Sequence, residues 1–268
     1  MVAGIFYSDD EVLLEKTIED SLATARKTMY ETNHIRPNAI LSPHAAFDYS
    51  GIIQAAAWAQ VDEPVDRVLI LAPFRQNGES AAYLPESEIF QTPLGDVHVD
   101  AEVCSELESC NTLFATNDIP HLECHAIEVQ LPFMRRLFPE ALLVPILVCG
   151  DARVVSALAR AIDLVLGEAM DTTLVVASSN LASSLVSKIA ERSSEDLLAS
   201  IYSGDWRNVS ATHNSGGSAA IASTMALGNV EGSRFRLLSR IDSTHHKAPI
   251  NEKIVHYCAG IWFKENAS

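Results

Sequence analysis

The chain has 268 residues, of which 48% are hydrophobic and 20% are charged, and its formal net charge is −16. Binding to a nucleic-acid duplex needs a cationic surface that displaces counterions from phosphates, and this acidic composition argues against it. The same charge disfavours docking on an anionic membrane, so we expect neither nucleic acid nor a membrane as a partner.

Length and cysteine content predict one cytoplasmic domain. At about 150 residues per domain the length allows one or two, and single α/β domains of this size are common, so we expect one domain over residues 1–268. Five cysteines without a CxxC pair fit reduced thiols better than a disulfide framework. The first residues carry acids where a signal peptide has basic residues, and no apolar run is long enough to span a bilayer.

Short β-branched runs alternate with longer helical patterns. The predicted elements, in chain order, are helix 10–30, strand 38–43, helix 51–61, strand 67–73, helix 101–110, strand 141–148, helix 152–170, strand 172–179 and helix 217–228. A long loop or a hairpin excursion is expected over 74–100, and two strands around a polar loop over 234–263. This alternation indicates an α/β layered sheet, whose nearly continuous apolar strands are typical of strands covered on both faces.

Polar residues follow three of the predicted strands. His44 follows the first strand, Arg75 follows the second, and Asn180 follows the strand that begins at Thr172. In open α/β sheets the ligand crevice lies at the carboxyl ends of the strands. We therefore expect these side chains to converge on one pocket.

The segment 121–138 is a candidate metal-binding helix. His121 and His125 have i, i+4 spacing, and His125 and Glu128 have i, i+3 spacing, which both suit ligands on one helical face. The HExxH motif of metalloproteases is absent. The alternative is that His125 and Glu128 cap or pin a helix whose apolar residues enter the core.

Two glycines, Gly216 and Gly217, precede a helix of small residues. Exposed N–H groups at such a helix start bind anions. A tight turn with close helix packing requires the same small residues. Both interpretations stay open at this point.

Two long and specific motifs are TPLGDVHVD (92–100) and HAIEVQLPF (125–133). Together with further segments over essentially the whole chain, and in the same order, they resemble the Memo family, also described as the AmmeMemoRadiSam system protein B group. The resemblance implies a single α/β domain with a central mixed β-sheet between helical layers, similar in fold to extradiol ring-cleaving non-haem iron dioxygenases. It also implies a pocket that binds iron or copper, and proposed redox roles.

This sequence departs from the family pattern at nearly every reactive position. His44 keeps the histidine of the PHAG turn, whereas Arg75 replaces a second histidine, Asn180 and Ser183 replace an Asp and a His, and Ser215 replaces a Cys. Transition metals bind imidazole, thiolate or carboxylate, and Arg cannot ligate. The comparison therefore predicts a degenerate metal site without a resident metal or other cofactor.

We expect a binding or assembly protein rather than an enzyme, with no catalytic residue assigned. The pocket would hold a small carboxylate or phosphate through His44, Arg75, Ser215, Gly216 and Gly217, and Asp48 is an alternative partner for Arg75. The resemblance implies a Memo paralogue, a radical-SAM protein or an AMMECR-type protein as partners.

Two enzymatic alternatives stay open. One is a metal-dependent oxidoreductase with ligands such as His121, His125 or His245. The other is a metal-free enzyme that uses His44 and Arg75 on a carboxylate or carbonyl substrate. The sequence predicts neither the substrate nor the oligomeric state.

Overall fold

The structure is a computed structural model that describes residues 2–28, 36–74, 81–212, 217–246 and 252–264. Its α-helices are α1 (Glu11–Thr28), α2 (Phe47–Trp58), α3 (Ala101–Cys110), α4 (Asp118–Glu123), α5 (Leu131–Leu137), α6 (Ala152–Leu166), α7 (Ser187–Tyr202), α8 (Trp206–Ser210) and α9 (Ser218–Ala226). Its strands are β1 (Ala39–Ser42), β2 (Arg67–Pro73), β3 (Ala81–Leu84), β4 (Ile89–Thr92), β5 (Gly95–His98), β6 (Phe114–Thr116), β7 (Leu142–Cys149), β8 (Thr173–Ser178), β9 (Ala182–Ser184), β10 (Arg234–Asp242) and β11 (Ile254–Phe263). Short 3-10 segments lie at Glu128–Gln130, Gly167–Thr172 and Ser243–His245.

One mixed sheet organises the described chain. Its strand order is β10-β11-β1-β8-β2-β7-β3-β6, and β9 pairs with β11 outside this order. The four central strands β1, β8, β2 and β7 are mutually parallel, whereas β11 runs antiparallel to β1 and β3 runs antiparallel to β7. Because the central strands are parallel, their carboxyl ends meet at the same edge of the sheet.

Successive residues of the central strands enter two separate cores. In β2, Leu69 and Leu71 pack with the layer of α3, α6, α7, α8 and α9. Val68 and Ile70 pack with the layer of α1, α2 and α5. This alternation follows from the two-residue period of a strand, and coverage of both faces explains why the strand sequences are apolar without interruption.

The predicted α/β class, with a central mixed sheet between helical layers, is confirmed. The apolar strands lie within one or two residues of their predicted bounds, and 74–100 contains the hairpin of β4 and β5. Two differences stand out. Helix α2 begins at Phe47, four residues earlier than predicted, and the 16-residue helix α7 was not predicted.

Helix α7 lacks a strong sequence signal because its composition is polar. Its buried residues are Ala190, Ser194, Leu197, Leu198 and Ile201, at the spacing of one helical face. A serine in this stripe and several serines elsewhere in the helix weaken both the apolar pattern and the helix propensity.

None of the described helices is long and apolar enough to cross a membrane. None of the five cysteines forms a disulfide in the described structure. The boundaries of the single domain predicted over residues 1–268 stay a prediction.

Candidate functional site

A cavity of about 430 Å³ opens at the carboxyl ends of β1, β2 and β8. The polar and thiol groups of its lining come from His44, Glu123, Cys124, His125, Asn180 and Ser183. The other lining residues are Pro73, Phe74, Ala126, Ala182, Gly217 and Val255. The cavity thus lies where the carboxyl-end rule for parallel sheets predicts a ligand crevice.

The turn after β1 is joined directly to the turn after β8. Ser42 and Ser178 are partners in the parallel ladder, and the backbone N–H of Ser179 donates to the carbonyl of Ser42 at 2.9 Å. Beyond this pair, the backbone N–H of His44 donates to Oδ1 of Asn180 at 3.1 Å. The two sequence-predicted residues are therefore held side by side at the wall of the cavity.

A buried glutamine holds the turn that carries His44. Gln130 is fully buried, and its Oε1 accepts hydrogen bonds from the Ser42 hydroxyl at 2.8 Å and from the Trp58 indole at 3.0 Å. Its Nε2 donates to the Pro43 carbonyl at 2.8 Å and to Ser178 Oγ at 3.1 Å. Both amide protons and both carbonyl lone pairs are thus satisfied, which is what a buried amide requires.

The same network indicates the tautomer of His44. The Ser178 hydroxyl donates to the Ala126 carbonyl at 2.6 Å and accepts from Gln130, so it has no second proton for His44. Nδ1 of His44 lies 3.5 Å from this oxygen, and the ring also hydrogen-bonds to the Ser178 backbone. Nδ1 is therefore the protonated nitrogen, and Nε2 carries the lone pair.

His44 is uncharged at neutral pH. Burial, and to a lesser extent charge repulsion from the neighbouring imidazole of His125, together lower its pKa to about 3, against a backbone hydrogen bond to Ser178 that raises it. The two ring centroids lie 5.8 Å apart in an edge-on arrangement. A cation at His44 would lose hydration and face a second basic ring, so the neutral form prevails.

His125 is itself occupied by the surrounding structure. Its ring packs on Phe6 with centroids 4.2 Å apart and hydrogen-bonds to the backbone of His44. Burial lowers its pKa, against the opposing effects of that hydrogen bond and of the Glu128 carboxylate.

Glu128 in turn accepts hydrogen bonds from the backbone N–H of Val2 at 2.5 Å and from the Tyr7 hydroxyl at 3.3 Å. His125 and Glu128 thus pin the N-terminal segment against the cavity wall.

The cysteine of the cavity is held as a protonated thiol. Cys124 Sγ donates to the Pro73 carbonyl at 3.3 Å, and burial raises the pKa of its thiol. Nucleophilic cysteines require the opposite shift, towards the thiolate. Cys124 therefore forms part of the cavity wall and does not serve as a nucleophile.

The structure brings together four of the predicted site residues. His44, Asn180, Ser183 and Gly217 all line the cavity. A Cβ at Gly217 would lie 1.6 Å from Ser179 Oγ, so close packing alone requires a glycine there. Arg75, Ser215 and Gly216 lie outside the described residues, and their part in the site stays a prediction.

The three histidines of the oxidoreductase alternative do not line one common cavity. His121 lies in helix α4, which ends at Glu123, so His125 is not on the same helical face and lines a different cavity. His245 is exposed in a 3-10 segment. The i, i+4 relation predicted for His121 and His125 therefore does not form, because the chain becomes extended at Cys124.

Sequence reasoning missed Gln130, which together with Ser178 sets the orientation of His44. Both are buried polar residues within apolar sequence, and such residues need hydrogen-bond partners in any fold. A buried polar side chain in an apolar run was thus the available signal.

The iron or copper implied by the family resemblance does not fit the residues that the structure describes. No group of three or more His, Cys, Asp or Glu in the described ranges could hold a metal ion. The imidazole of His125 and the thiol of Cys124 are both engaged in hydrogen bonds to the backbone. Asn180 and Ser183 supply only neutral oxygen and nitrogen atoms, which are poor ligands for these metals.

Comparisons with known proteins agree on one family. A MEMO1 family protein of Caldivirga maquilingensis is 32% identical over 191 residues, which cover 67% of this chain and 66% of that protein. A MEMO1 family protein of Methanobrevibacter smithii is 33% identical over 192 residues, or 68% and 67% of the two chains. The protein SSO0066 of Saccharolobus solfataricus, also of the MEMO1 family, is 32% identical over 78% of this chain and 77% of its own. The chain thus spans about two thirds of the first two relatives.

Among solved structures, uncharacterized protein JW3007 from Escherichia coli K12 has a TM-score of 0.44 and 10% identity, over 83% of this chain and 98% of that one. Similarity at that level bears neither on the fold nor on the function. The family model described as Memo-like protein matches residues 1–261. The chain therefore belongs to the Memo-like protein family.

Proposed function

We propose that this Memo-like protein binds a small anionic molecule in the cavity around His44 and does so without a transition metal. The observation that carries the proposal is the 430 Å³ cavity itself, whose lining offers polar contacts but no reactive group in the described residues. Cavities of this size at the carboxyl ends of parallel strands are typical ligand sites.

The state of the cavity residues favours binding over catalysis. A general base works best when its pKa lies near the operating pH, and a pKa of about 3 makes His44 a weak base. The Cys124 thiol is protonated and hydrogen-bonded, so it does not serve as a nucleophile. His44 Nε2 instead accepts a hydrogen bond from a ligand hydroxyl or N–H.

The charge that attracts an anion is assigned to Arg75. The described lining contains no Lys or Arg and His44 is neutral, so an anion needs a cation from elsewhere. Arg75 follows the lining residue Phe74 directly in the chain, and a guanidinium binds carboxylates and phosphates in a bidentate manner. Ser215, Gly216 and Gly217 would add hydroxyl and backbone donors, and the ligand would carry both an anionic group and a hydroxyl.

Calorimetric titration tests the proposal with glycolate, acetate and inorganic phosphate. Glycolate combines a carboxylate with a hydroxyl donor, so it should bind at least about tenfold more tightly than acetate, a difference of about 1.4 kcal/mol. Arg75→Gln should weaken glycolate and phosphate at least tenfold, whereas Arg192→Gln, at an exposed position of α7, should not. Equal binding by both variants would overturn the role of Arg75.

Metal analysis of untagged protein provides the second arm. Iron and copper should stay far below one equivalent per chain. Near-stoichiometric iron or copper would contradict the metal-free site.

The assembly role with a Memo paralogue, a radical-SAM protein or an AMMECR-type protein stays a prediction from the resemblance.

A further inference from the structure

A second cavity of about 180 Å³ lies beside helix α4 and the hairpin of β4 and β5. The residues of its lining that matter here are Ile89, Phe90, Asp118, His121, Leu122 and Glu128. None of these residues lines the cavity around His44. The second cavity is therefore a separate site with its own chemistry.

His121, which lines this cavity, has an unpartnered hydrogen-bond acceptor. The residue is 8% exposed, and its Nε2 lies 3.2 Å from the carbonyl oxygen of Tyr83. A carbonyl oxygen only accepts, so Nε2 carries the proton and Nδ1 carries a lone pair. Nδ1 is buried and has no partner in the described structure. A buried acceptor without a partner costs free energy, which a ligand N–H would recover.

The charges around His121 favour a cationic ligand. Burial lowers the pKa of His121 to about 4, so its ring is neutral at pH 7. Burial raises the pKa of Asp118, but hydrogen bonds from Ser87 and Glu86 outweigh this effect and lower it, so Asp118 is ionised. Glu128 adds a second carboxyl side chain, and the described lining contains no Lys or Arg.

The remaining walls are apolar. Phe90 packs edge-on against the His121 ring with centroids 6.0 Å apart. Ile89 is 42% exposed and Leu122 is 76% exposed, so apolar side chains reach the mouth of the cavity. Since one water occupies about 30 Å³ in the liquid, the 180 Å³ cavity has the volume of about six waters, which is enough for a short alkyl chain.

We propose that this second cavity binds an alkylammonium group. The ammonium N–H groups would donate to Nδ1 of His121 and to the Asp118 carboxylate, while the alkyl stem packs against Phe90 and Leu122. An ammonium has three donors and no acceptor, which complements a site that offers acceptors on an apolar wall. The proposal is independent of the anion site around His44.

Titration of 1,5-diaminopentane, followed by NMR of histidine-labelled protein, tests this assignment. The imidazole signal of His121, identified by its loss in His121→Gln, should shift saturably. Pentane-1,5-diol has the same length without charge and should bind at least about tenfold more weakly. A diol that shifts the signal as effectively, or a diamine that does not shift it, would overturn the proposal.

A pair of surface variants separates the site from general attraction to an acidic protein. Leu122→Lys places a competing ammonium at the mouth and should weaken diamine binding at least tenfold. Leu164→Lys changes the net charge equally at a residue of α6 that is 75% exposed, and it should leave binding nearly unchanged. Equal losses in the two variants would contradict a defined site.

The alkylammonium could belong to a free amine or to a lysine side chain. Titration of N-acetyl-lysine amide distinguishes these sources, because the backbone amides enlarge the ligand at the mouth. Tighter binding of the diamine assigns the cavity to a free amine, and tighter binding of the lysine derivative assigns it to a protein segment. If neither ligand reaches His121, the alkylammonium assignment is wrong.

Discussion

His44 shows how one side chain acquires its chemistry from its surroundings. The free imidazole titrates near pH 6.5, but burial and the neighbouring His125 lower its pKa to about 3. The folded protein therefore keeps this group neutral over the pH range in which the unfolded chain protonates it.

The shift predicts a loss of stability in acid. When the pH falls from 7 to 5, the unfolded state takes up a proton at His44 that the folded state does not. The free energy of unfolding therefore decreases as the pH is lowered. The part due to His44 is at most about 2 kcal/mol over this interval. His44→Gln removes it, so urea denaturation at the two pH values should show a smaller loss in the variant than in the wild type.

An exposed histidine provides the control for this comparison. His98→Gln, at the exposed end of β5, should lose stability as the wild type does. His121 and His256 also have lowered pKa values and contribute equally to all three proteins. An unchanged pH dependence in His44→Gln would show that the imidazole is not kept neutral by the fold.

At the level of elements, one side chain joins the parts of the sheet edge. Gln130, in the short 3-10 segment before α5, hydrogen-bonds to β1 through Ser42, to β8 through Ser178 and to α2 through Trp58. The orientation of the turn that carries His44 depends on these bonds and on the one to the Pro43 carbonyl.

Gln130→Leu should therefore be more destabilising than another loss of a buried glutamine. Gln54 is equally buried, but only its Nε2 is bonded, to Ala45 and Ser50, and its Oε1 has no partner in the described structure. Since each buried polar group left unpaired costs about 1–3 kcal/mol, Gln130→Leu should exceed Gln54→Leu by about 2–4 kcal/mol in urea denaturation. Similar losses would mean that the network contributes no more than ordinary packing.

The sequence predicts these elements well where burial is uniform. Strands β2 and β8 are apolar on both faces, so their positions are visible in the sequence itself. Helix α7 and strand β6 are not, because the first is largely polar and the second has only three residues. Short and polar elements are defined by the surfaces on which they pack, and sequence alone does not contain those surfaces.

The candidate site was predictable to a similar extent. The rule that ligands bind at the carboxyl ends of parallel strands predicts that His44 and Asn180 lie together, because it depends only on strand direction. It does not find Gln130 or the acceptor on His121, since these depend on contacts between residues far apart in the chain. The i, i+4 spacing of His121 and His125 gave a wrong prediction, because it assumes one continuous helix, whereas α4 ends at Glu123.

For the whole molecule, the net charge of −16 acts on the two proposed ligands in opposite directions. The surrounding field attracts an ammonium and repels a carboxylate, and salt screens both effects beyond a Debye length of about 10 Å at 0.1 M.

Raising the ionic strength should therefore weaken binding of 1,5-diaminopentane. Glycolate should respond less steeply, because screening removes long-range repulsion together with part of the attraction to Arg75. Calorimetric titrations at 20 and 200 mM sodium chloride measure both slopes. A glycolate affinity that falls with salt as steeply as the diamine affinity would contradict this account of the field.

The sheet order also governs when the site around His44 comes into existence during synthesis. Strand β1 pairs only with β8 and β11 in the described structure, and both partners come much later in the chain. His44 and Ser178 are 134 residues apart. At about 5–20 residues per second a ribosome needs about 7–27 s to make the intervening segment, and the apolar strand Ala39–Ser42 waits through this time without a partner strand. The cavity around His44 is therefore assembled only after β8 and β11 have been synthesised.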